Sequence, residues 1–128
     1  MKLLLDTQLL LWAAAGSRRL SKKAIALIDD PANTLLFSAA SLWEITVKNS
    51  LGRDDLRADP ATVRRGLLDN GYVELPVTSL HAVALAALPA LHKDPFDRML
   101  VAQAQAEGLV LLTADAALAR YPGQIRKV

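Results

Sequence analysis

The sequence predicts an α/β fold with a central parallel sheet that helices cover on both faces. Three observations indicate this fold. Short apolar segments alternate along the chain with segments of helical periodicity. The apolar segments are continuous, which is typical of strands that are buried on both faces. Capping residues, glycines and prolines separate the segments. The length of 128 residues suits one domain, so we expect residues 1–128 to form a single domain.

The boundaries of the elements follow from these breaks in the pattern. Apolar runs, together with one candidate edge strand at the end, predict strands at Lys2–Leu5, Thr34–Phe37, Tyr72–Leu75, Leu109–Leu112 and Gln124–Lys127. Caps and periodicity predict helices at Thr7–Ala15, Lys22–Asp30, from Ser38 or Ser41 to about Ser50, Pro60 to about Asn70, Ser79–Leu88, Asp94–Glu107 and Ala114–Ala119. Two polar stretches, Gly16–Lys23 and Gly52–Pro60, are predicted to be loops between helices.

Composition excludes several classes of function. The chain contains no cysteine, which removes disulfides, thiolate metal sites and a cysteine nucleophile. No apolar run approaches the roughly 20 residues that a membrane span needs, and Met1–Leu5 is too short for a signal peptide. We therefore expect a cytoplasmic protein that has no contact with membranes. The net charge of +2 is too small to indicate nucleic-acid binding by itself.

Two aspartates follow buried strands directly. Asp6 comes after Lys2–Leu5, and Asp115 comes just past Leu109–Leu112. Ligands of open α/β sheets bind at the carboxyl ends of the strands, where these carboxylates would meet. Each aspartate could instead cap the helix that follows it. The sequence leaves both interpretations open for each residue.

Two further acids lie on helices in apolar surroundings. Glu44 follows Trp43 inside an apolar helix, where it either forms an exposed pair with Lys48 or points towards the edge of the sheet. Asp94 is predicted to cap the next helix, with Pro95 in its first turn. Asp97 shares a helix face with three apolar residues, Leu100, Val101 and Ala104. A carboxylate on that inward face, near a helix N-terminus, is a candidate ligand-binding group.

These acids are the kind of group that binds a hard cation. Mg²⁺ and Mn²⁺ prefer oxygen ligands and keep waters for a substrate phosphate. Such an ion activates water and neutralises charge on a phosphodiester. The two histidines, His81 and His92, are far apart in sequence and pair with no cysteine, so neither is expected to bind a metal.

At these residues the sequence resembles PIN-domain nucleases of the VapC type, and the resemblance covers nearly the whole chain. Four segments carry it, in this order: Leu4–Thr7, Ser41–Ile45, His92–Arg98 and Leu111–Asp115. The resemblance implies an α/β/α sandwich whose acidic site consists of Asp6, Glu44, Asp97 and Asp115. It implies that these residues bind one or two Mg²⁺ or Mn²⁺ ions, with Asp6 and Asp97 closest to the metal. The last acid, Asp115, is not always a direct ligand in the family.

The resemblance also implies partners and supporting residues. Members of the family usually cleave RNA, form homodimers and are inhibited by a small VapB-type antitoxin. The hydroxyl groups of Thr7 and Thr113 resemble positions that support the site. Gln8 departs from the family, which often has His or Asn there, and Asp94 is an additional acid. The alternative function is a catalytically silent PIN-like module that binds RNA or protein, whose usual sign is the loss of one of the four acids.

Other interpretations fit the sequence less well. A haloacid dehalogenase-type phosphotransferase would have a second aspartate at Gln8, and a dinucleotide-binding domain would have glycines there. Trp12 and Trp43 are predicted to pack in the core. Arg98 could pair with an acid or contact a phosphate, and the sequence does not separate these roles.

Overall fold

A five-stranded, fully parallel sheet lies at the centre of the computed structural model, which describes residues 1–52 and 57–128. The strands, numbered along the chain, are β1 (Lys2–Leu5), β2 (Thr34–Ser38), β3 (Val73–Leu75), β4 (Val110–Thr113) and β5 (Ile125–Lys127). Their order across the sheet is β3-β2-β1-β4-β5. The predicted α/β class and the parallel sheet are confirmed, and each predicted strand lies within one residue of its observed bounds.

Helices connect the strands and begin mostly at the predicted capping residues. They are α1 (Thr7–Ala15), α2 (Lys22–Asp29), α3 (Ala39–Ser50), α4 (Pro60–Asp69), α5 (Ser79–Ala84) and α6 (Pro95–Glu107). The hydroxyl of Ser38 accepts the amide of Ala40 at 3.0 Å, so Ser38 caps α3 and the first of its two predicted starts is correct. Part of the predicted loop Gly52–Pro60, residues 53–56, lies outside the described residues.

Two predicted helices were wrong in extent. The helix from Ser79 ends at Ala84 and continues as a single 3₁₀ turn, because Leu88 is extended before Pro89, as proline requires of its predecessor. The predicted helix Ala114–Ala119 is replaced by a 3₁₀ turn at Leu118–Arg120. Side chains bind the backbone amides before that turn. The amide of Asp115 donates to the hydroxyl of Thr113, and the amide of Ala117 donates to the carboxylate of Asp115.

The side chains of the central strand supply a core on each face of the sheet. Leu4 packs with Leu100 and Val101 of α6 on one face. Leu3 and Leu5 point to the other face, where the core also contains residues of α1, α3 and α4. This alternation follows from the two-residue period of a strand. The fold is thus a three-layer sandwich with β1 at its centre.

The strand pairing brings two distant segments of the chain together at one edge of the sheet. Leu5 pairs with Leu112, so the residues that follow them, Asp6 and Thr113, lie side by side at the carboxyl edge of the sheet. The amide of Asp6 donates to the carbonyl of Leu112 at 3.0 Å, which extends the pairing by one more residue. Among the described residues, no helix has both the length and the hydrophobicity that crossing a bilayer requires.

The central position of β1 makes its packing a test of the fold. Leu4 is 0% exposed and pairs with Leu36 on one side and Leu111 on the other. We expect Leu4→Ala to lower the free energy of unfolding by about 2–5 kcal/mol, because it leaves a cavity that the two neighbouring strands cannot close. Urea denaturation followed by circular dichroism measures the loss. Leu51→Ala, at a position 71% exposed, is the control and should change stability by less than about 0.5 kcal/mol. Equal losses in the two variants would contradict the assigned core.

Candidate active site

Asp6 both begins a helix and faces the edge of the sheet. Its Oδ1 accepts the amide of Leu9 at 2.9 Å, so it caps α1, and its Oδ2 accepts the hydroxyl of Thr113 at 2.6 Å. The residue is buried. Burial raises the pKa of Asp6 to about 6, although the hydrogen bonds from Thr113 and Leu9 lower it in part. Asp6 therefore caps α1, as one interpretation of the sequence predicted, and its second oxygen lies at the edge of the sheet.

At the start of α6, Asp94 caps the helix and Asp97 lines the pocket. Oδ1 of Asp94 accepts the amides of Phe96 and Asp97 at 2.9 and 3.2 Å, as expected of the cap, and its Oδ2 accepts from Lys48. Burial opposes ionisation of Asp94, but the hydrogen bonds from Lys48 and the backbone outweigh it and lower its pKa. For Asp97 no hydrogen bond among the described residues compensates burial, and the nearby His92 lowers its pKa only in part. Burial, followed by the nearby charges of Asp94 and Glu44, raises the pKa of Asp97 to about 7.

Glu44 is buried on α3 and forms an ion pair with the next turn of its own helix. Nζ of Lys48 lies 2.5 Å from Oε2 of Glu44 and 3.1 Å from Oδ2 of Asp94. The pair is not the exposed one that the sequence allowed, because the side chain of Lys48 is only 13% exposed and that of Glu44 only 5%. Oε1 of Glu44 is buried and finds no hydrogen-bond partner among the residues that the structure describes. A buried oxygen of this kind is costly unless a ligand completes it.

Asp115 lies at the end of β4 and is the most exposed of the predicted acids. Its Oδ1 accepts the amide of Ala117 at 2.8 Å, and its Oδ2 lies 3.2 Å from Nε2 of His92. The same Nε2 is 3.6 Å from Oδ2 of Asp97. Nδ1 of His92 accepts the amide of Asp94 at 3.0 Å, so the proton of the neutral ring lies on Nε2. His92 therefore faces the acids as a hydrogen-bond donor, although its position would otherwise suit a metal ligand.

The four acids predicted from the sequence line one pocket of about 340 Å³ at the carboxyl edge of the sheet. Its lining consists of Asp6, Thr7, Gln8, Trp12, Glu44, Lys48, Asp97, Ala114 and Asp115. A larger cavity of about 680 Å³ between α1 and α4 has no carboxylate among the described residues that line it. The predicted acids are thus in one place, and the hydroxyl of Thr113 connects Asp6 to the backbone of Asp115. The hydroxyl of Thr7 instead donates to Ser41 at 2.8 Å, which ties α1 to α3.

Several residues lie elsewhere than the sequence suggested. Trp43 is 62% exposed rather than packed in the core, and its ring meets the ring of Phe96 edge-on at 4.8 Å. Trp12, by contrast, is partly buried against the core beneath α1, as predicted. Arg98 donates to the carbonyl of Pro89 and the hydroxyl of Tyr121, and it pairs with no acid among the described residues. The prediction for Trp43 was wrong because apolar neighbours in a sequence do not show on which side of its helix a residue lies.

Lys48 and His92 are the two site residues that the sequence did not single out. A signal for Lys48 existed, since it lies one turn after Glu44, but that spacing is equally common on solvated helix faces. His92 carries a weaker signal, two residues before the cap of α6, where its ring can reach the backbone of Asp94. Lys48 gains its role from the approach of α3 to the start of α6, and His92 gains its role from the approach of the end of β4 to the start of α6.

The residues present fit a hard divalent cation. All four acids offer oxygen ligands, which Mg²⁺ and Mn²⁺ prefer. Oε1 of Glu44 has no partner among the described residues, and burial raises the pKa of Asp6 and of Asp97, so a cation in the pocket would favour the ionised form of these acids. The donor chemistry therefore matches a metal centre rather than a purely structural cluster.

Comparison with known proteins places the chain in a family. A family model described as PIN domain matches residues 3–124. The VapBC2 structure from Rickettsia felis, bound to a promoter DNA fragment, matches with a TM-score of 0.71 and 16% identity over 99% of this chain and 98% of that one. DNA-bound VapBC from Salmonella typhimurium gives a TM-score of 0.68, 18% identity and coverage of 99% and 98%. VapC20 from Mycobacterium tuberculosis, a sarcin-ricin loop cleaving toxin, matches with a TM-score of 0.59 and 18% identity over 94% of this chain and 96% of that one. No curated protein matches by sequence.

The raised pKa values in the site predict an unusual dependence of stability on pH. Asp6 and Asp97 titrate near pH 6 and 7 in the fold, against an ordinary value of 3.8. From about pH 4 to about pH 7 the folded chain therefore holds more protons than the unfolded chain, so these two acids make stability fall as pH rises. We expect the Tm of the protein in EDTA to fall between pH 5 and pH 8, and to fall less steeply in Asp97→Asn.

Two comparisons give this prediction its controls. Asp69→Asn, which changes an exposed acid on α4, should keep the wild-type slope. Mn²⁺ should raise the Tm more at pH 8 than at pH 5, because the cation binds ionised carboxylates. An Asp97→Asn slope identical to that of the wild type would show that Asp97 does not titrate in this range.

Proposed function

Because the chain belongs to the PIN-domain family, we propose that it is a divalent-metal-dependent endoribonuclease and the toxin of a VapC-type toxin–antitoxin pair. The observation that carries the proposal is the convergence of Asp6, Glu44, Asp97 and Asp115 on one pocket, where a buried carboxylate oxygen lacks a partner. The substrate is RNA and the reaction is hydrolysis of a phosphodiester. The proposed setting is the cytoplasm.

In this proposal the four acids hold Mg²⁺ or Mn²⁺, with Asp6 and Asp97 as the closest ligands. When bound, the ion supplies an activated water and neutralises charge that develops on the phosphodiester. Asp6 is pre-oriented for this role, since its two oxygens already accept from Leu9 and Thr113. Such prior orientation lowers the cost of organising the site when substrate arrives.

The other residues of the pocket position groups rather than attack the substrate. The chain has no cysteine, and the hydroxyl of Thr7 donates to Ser41. The hydroxyl of Thr113 is occupied by Asp6 and by the amide of Asp115. His92 keeps its Nε2 proton directed at Asp115 and so limits the rotation of that exposed carboxylate. A water molecule is therefore the nucleophile that this arrangement supports.

The assignment to a toxin–antitoxin pair rests on the structural relatives. Structures of VapBC from two bacteria and a toxin–antitoxin complex from Klebsiella pneumoniae share this fold over nearly the whole chain. We propose that a small VapB-type antitoxin binds this protein and inhibits it. Its addition to the purified chain should suppress RNA cleavage.

Removal of the metal or of its closest ligands is the test of the proposed activity. We expect the purified chain, free of antitoxin, to cleave structured or single-stranded RNA with Mg²⁺ or Mn²⁺ and not with EDTA. Asp6→Asn and Asp97→Asn should each lower the rate at least about a hundredfold, since metal stabilisation of the transition state contributes several kcal/mol. Asparagine keeps the capping acceptor of Asp6, so the Asp6→Asn variant should still fold.

The control for this assay is Asp69→Asn, which should cleave at the wild-type rate. Cleavage that survives both EDTA and the two site variants would come from a contaminant or from another site, and would refute the mechanism. Retention of RNA binding without any cleavage, in protein shown to bind Mn²⁺, would instead support the catalytically silent module.

We also propose that the protein is a homodimer. Leu80 and Val83, which lie one turn apart on α5, are 75% and 72% exposed, and Trp43 on α3 is 62% exposed, whereas Ile25 on α2 is 41% exposed. Exposed apolar groups of this size are typical of surfaces that bind another protein, and the second copy of the chain is the partner that the family resemblance implies.

The dimer predicts a mass of twice the 13.8 kDa chain in solution. Light scattering coupled to size exclusion measures it. We expect Leu80→Glu to shift the protein to monomer, because a charge would be buried at the interface. Ile25→Glu, which places the same charge on α2, should remain dimeric. A wild-type protein that is monomeric throughout the micromolar range would refute the proposal.

A further inference from the structure

We propose that the ammonium group of Lys48 occupies the place that a second divalent ion would otherwise take, so that the pocket binds one divalent ion. This inference rests on the proposed function, because it assumes that the acids hold a metal. It assigns to Lys48 a positioning role: it determines how many ions bind and which carboxylate oxygens remain available to them.

The acids form two overlapping groups that could each hold a cation. Ligand atoms of Glu44, Asp94 and Asp97 all lie within 4.8 Å of one another. Ligand atoms of His92, Asp97 and Asp115 do so as well. Asp97 belongs to both groups. A pair of neighbouring cation positions that share a carboxylate is the usual arrangement of two-metal phosphodiester enzymes.

Lys48 already lies in the first of these groups. Its Nζ contacts Glu44 at 2.5 Å and Asp94 at 3.1 Å, and its side chain is largely buried. The same Nζ is 5.8 Å from the centre of the Phe96 ring, a cation–π distance that further restrains it. Burial lowers the pKa of Lys48, but its hydrogen bonds to the two carboxylates outweigh this and raise it, so the group stays charged.

The contacts of Lys48 leave few oxygens for an ion in this group. Oδ2 of Asp94 accepts from Lys48, and its Oδ1 accepts two backbone amides. Oε2 of Glu44 accepts from Lys48 as well. The remaining oxygen, Oε1 of Glu44, is buried and has no partner among the described residues. Asp94 is thus committed to the fold, while Glu44 can offer one oxygen to an ion held by the other acids.

The charges of the group formed by Glu44, Asp94 and Asp97 also favour Lys48, rather than a second divalent ion, in this place. Three carboxylates this close repel strongly where water is scarce. A lysine supplies one permanent positive charge without the cost of dehydrating a divalent ion. Removal of that charge should leave the group empty, more negative and open to a second ion.

The experiment counts bound Mn²⁺ on the full-length protein, free of antitoxin, by isothermal titration calorimetry and by electron paramagnetic resonance of the free ion. We compare the wild type, Lys48→Met and Lys93→Met. Lys93 is the matched control, because it is exposed and directly precedes Asp94, the α6 cap that Lys48 contacts. Lys93→Met therefore removes the same charge near the start of α6. Circular dichroism establishes that each variant is folded.

We expect one Mn²⁺ per wild-type chain, two per Lys48→Met chain and one per Lys93→Met chain. The first ion should bind Lys48→Met on the order of tenfold more tightly or better, because a neighbouring positive charge is gone. Two ions on the wild type would overturn the inference, and this measurement does not depend on whether the variant folds. A single ion on folded Lys48→Met would overturn it equally.

The outcomes separate this inference from the proposed function. If the wild type binds two ions and cleaves RNA, the nuclease stands and the role of Lys48 is wrong. If the wild type binds no Mn²⁺ and cleaves nothing, the proposed function fails and this inference fails with it.

Discussion

The parallel pairing of β1 with β4 is the interaction on which the rest of the structure depends. It places Asp6 beside Thr113, and the hydroxyl of Thr113 then joins the carboxylate of Asp6 to the backbone of Asp115. The two acids at the strand ends are therefore positioned by the sheet itself. Those on helices need a second arrangement, the approach of α3 to the start of α6, which brings Glu44 to Asp97.

This arrangement concentrates negative charge in one pocket whose acids, apart from Asp115, are mostly buried, and the protein neutralises only part of that charge. Lys48 compensates Glu44 and Asp94, and backbone amides at two helix starts stabilise Asp94 and Asp6. Asp97 receives least help, and its pKa is raised furthest. The fold thus tolerates local electrostatic stress at the place where a cation would relieve it. Stress of this kind, kept in place by the surrounding structure, is typical of functional sites.

Much of this could be predicted from the sequence, because strand ends and helix caps leave local signals. All five strands were found, and the apolar runs and caps beside Asp6, Asp97 and Asp115 made these residues candidates. Only the family resemblance joined them with Glu44 into one predicted site. The end of α5 and the turn after Asp115 could not be predicted, because Pro89 and the side chain of Thr113 override helical propensity there. The exposure of Trp43 and the roles of Lys48 and His92 depend on how helices meet. Contacts of that kind join residues that are far apart in the chain, and they produce no periodic pattern in the sequence.

The central position of β1 also determines when, during synthesis of the chain, the pocket can assemble. β1 leaves the ribosome first, yet one of its two hydrogen-bonding edges stays open until β4 is made. Asp6 and Thr113 lie 107 positions apart in the sequence, so the carboxylate of Asp6 cannot receive this hydrogen bond before the chain has been made as far as β4. Every incomplete nascent chain that lacks β4 therefore lacks the assembled pocket.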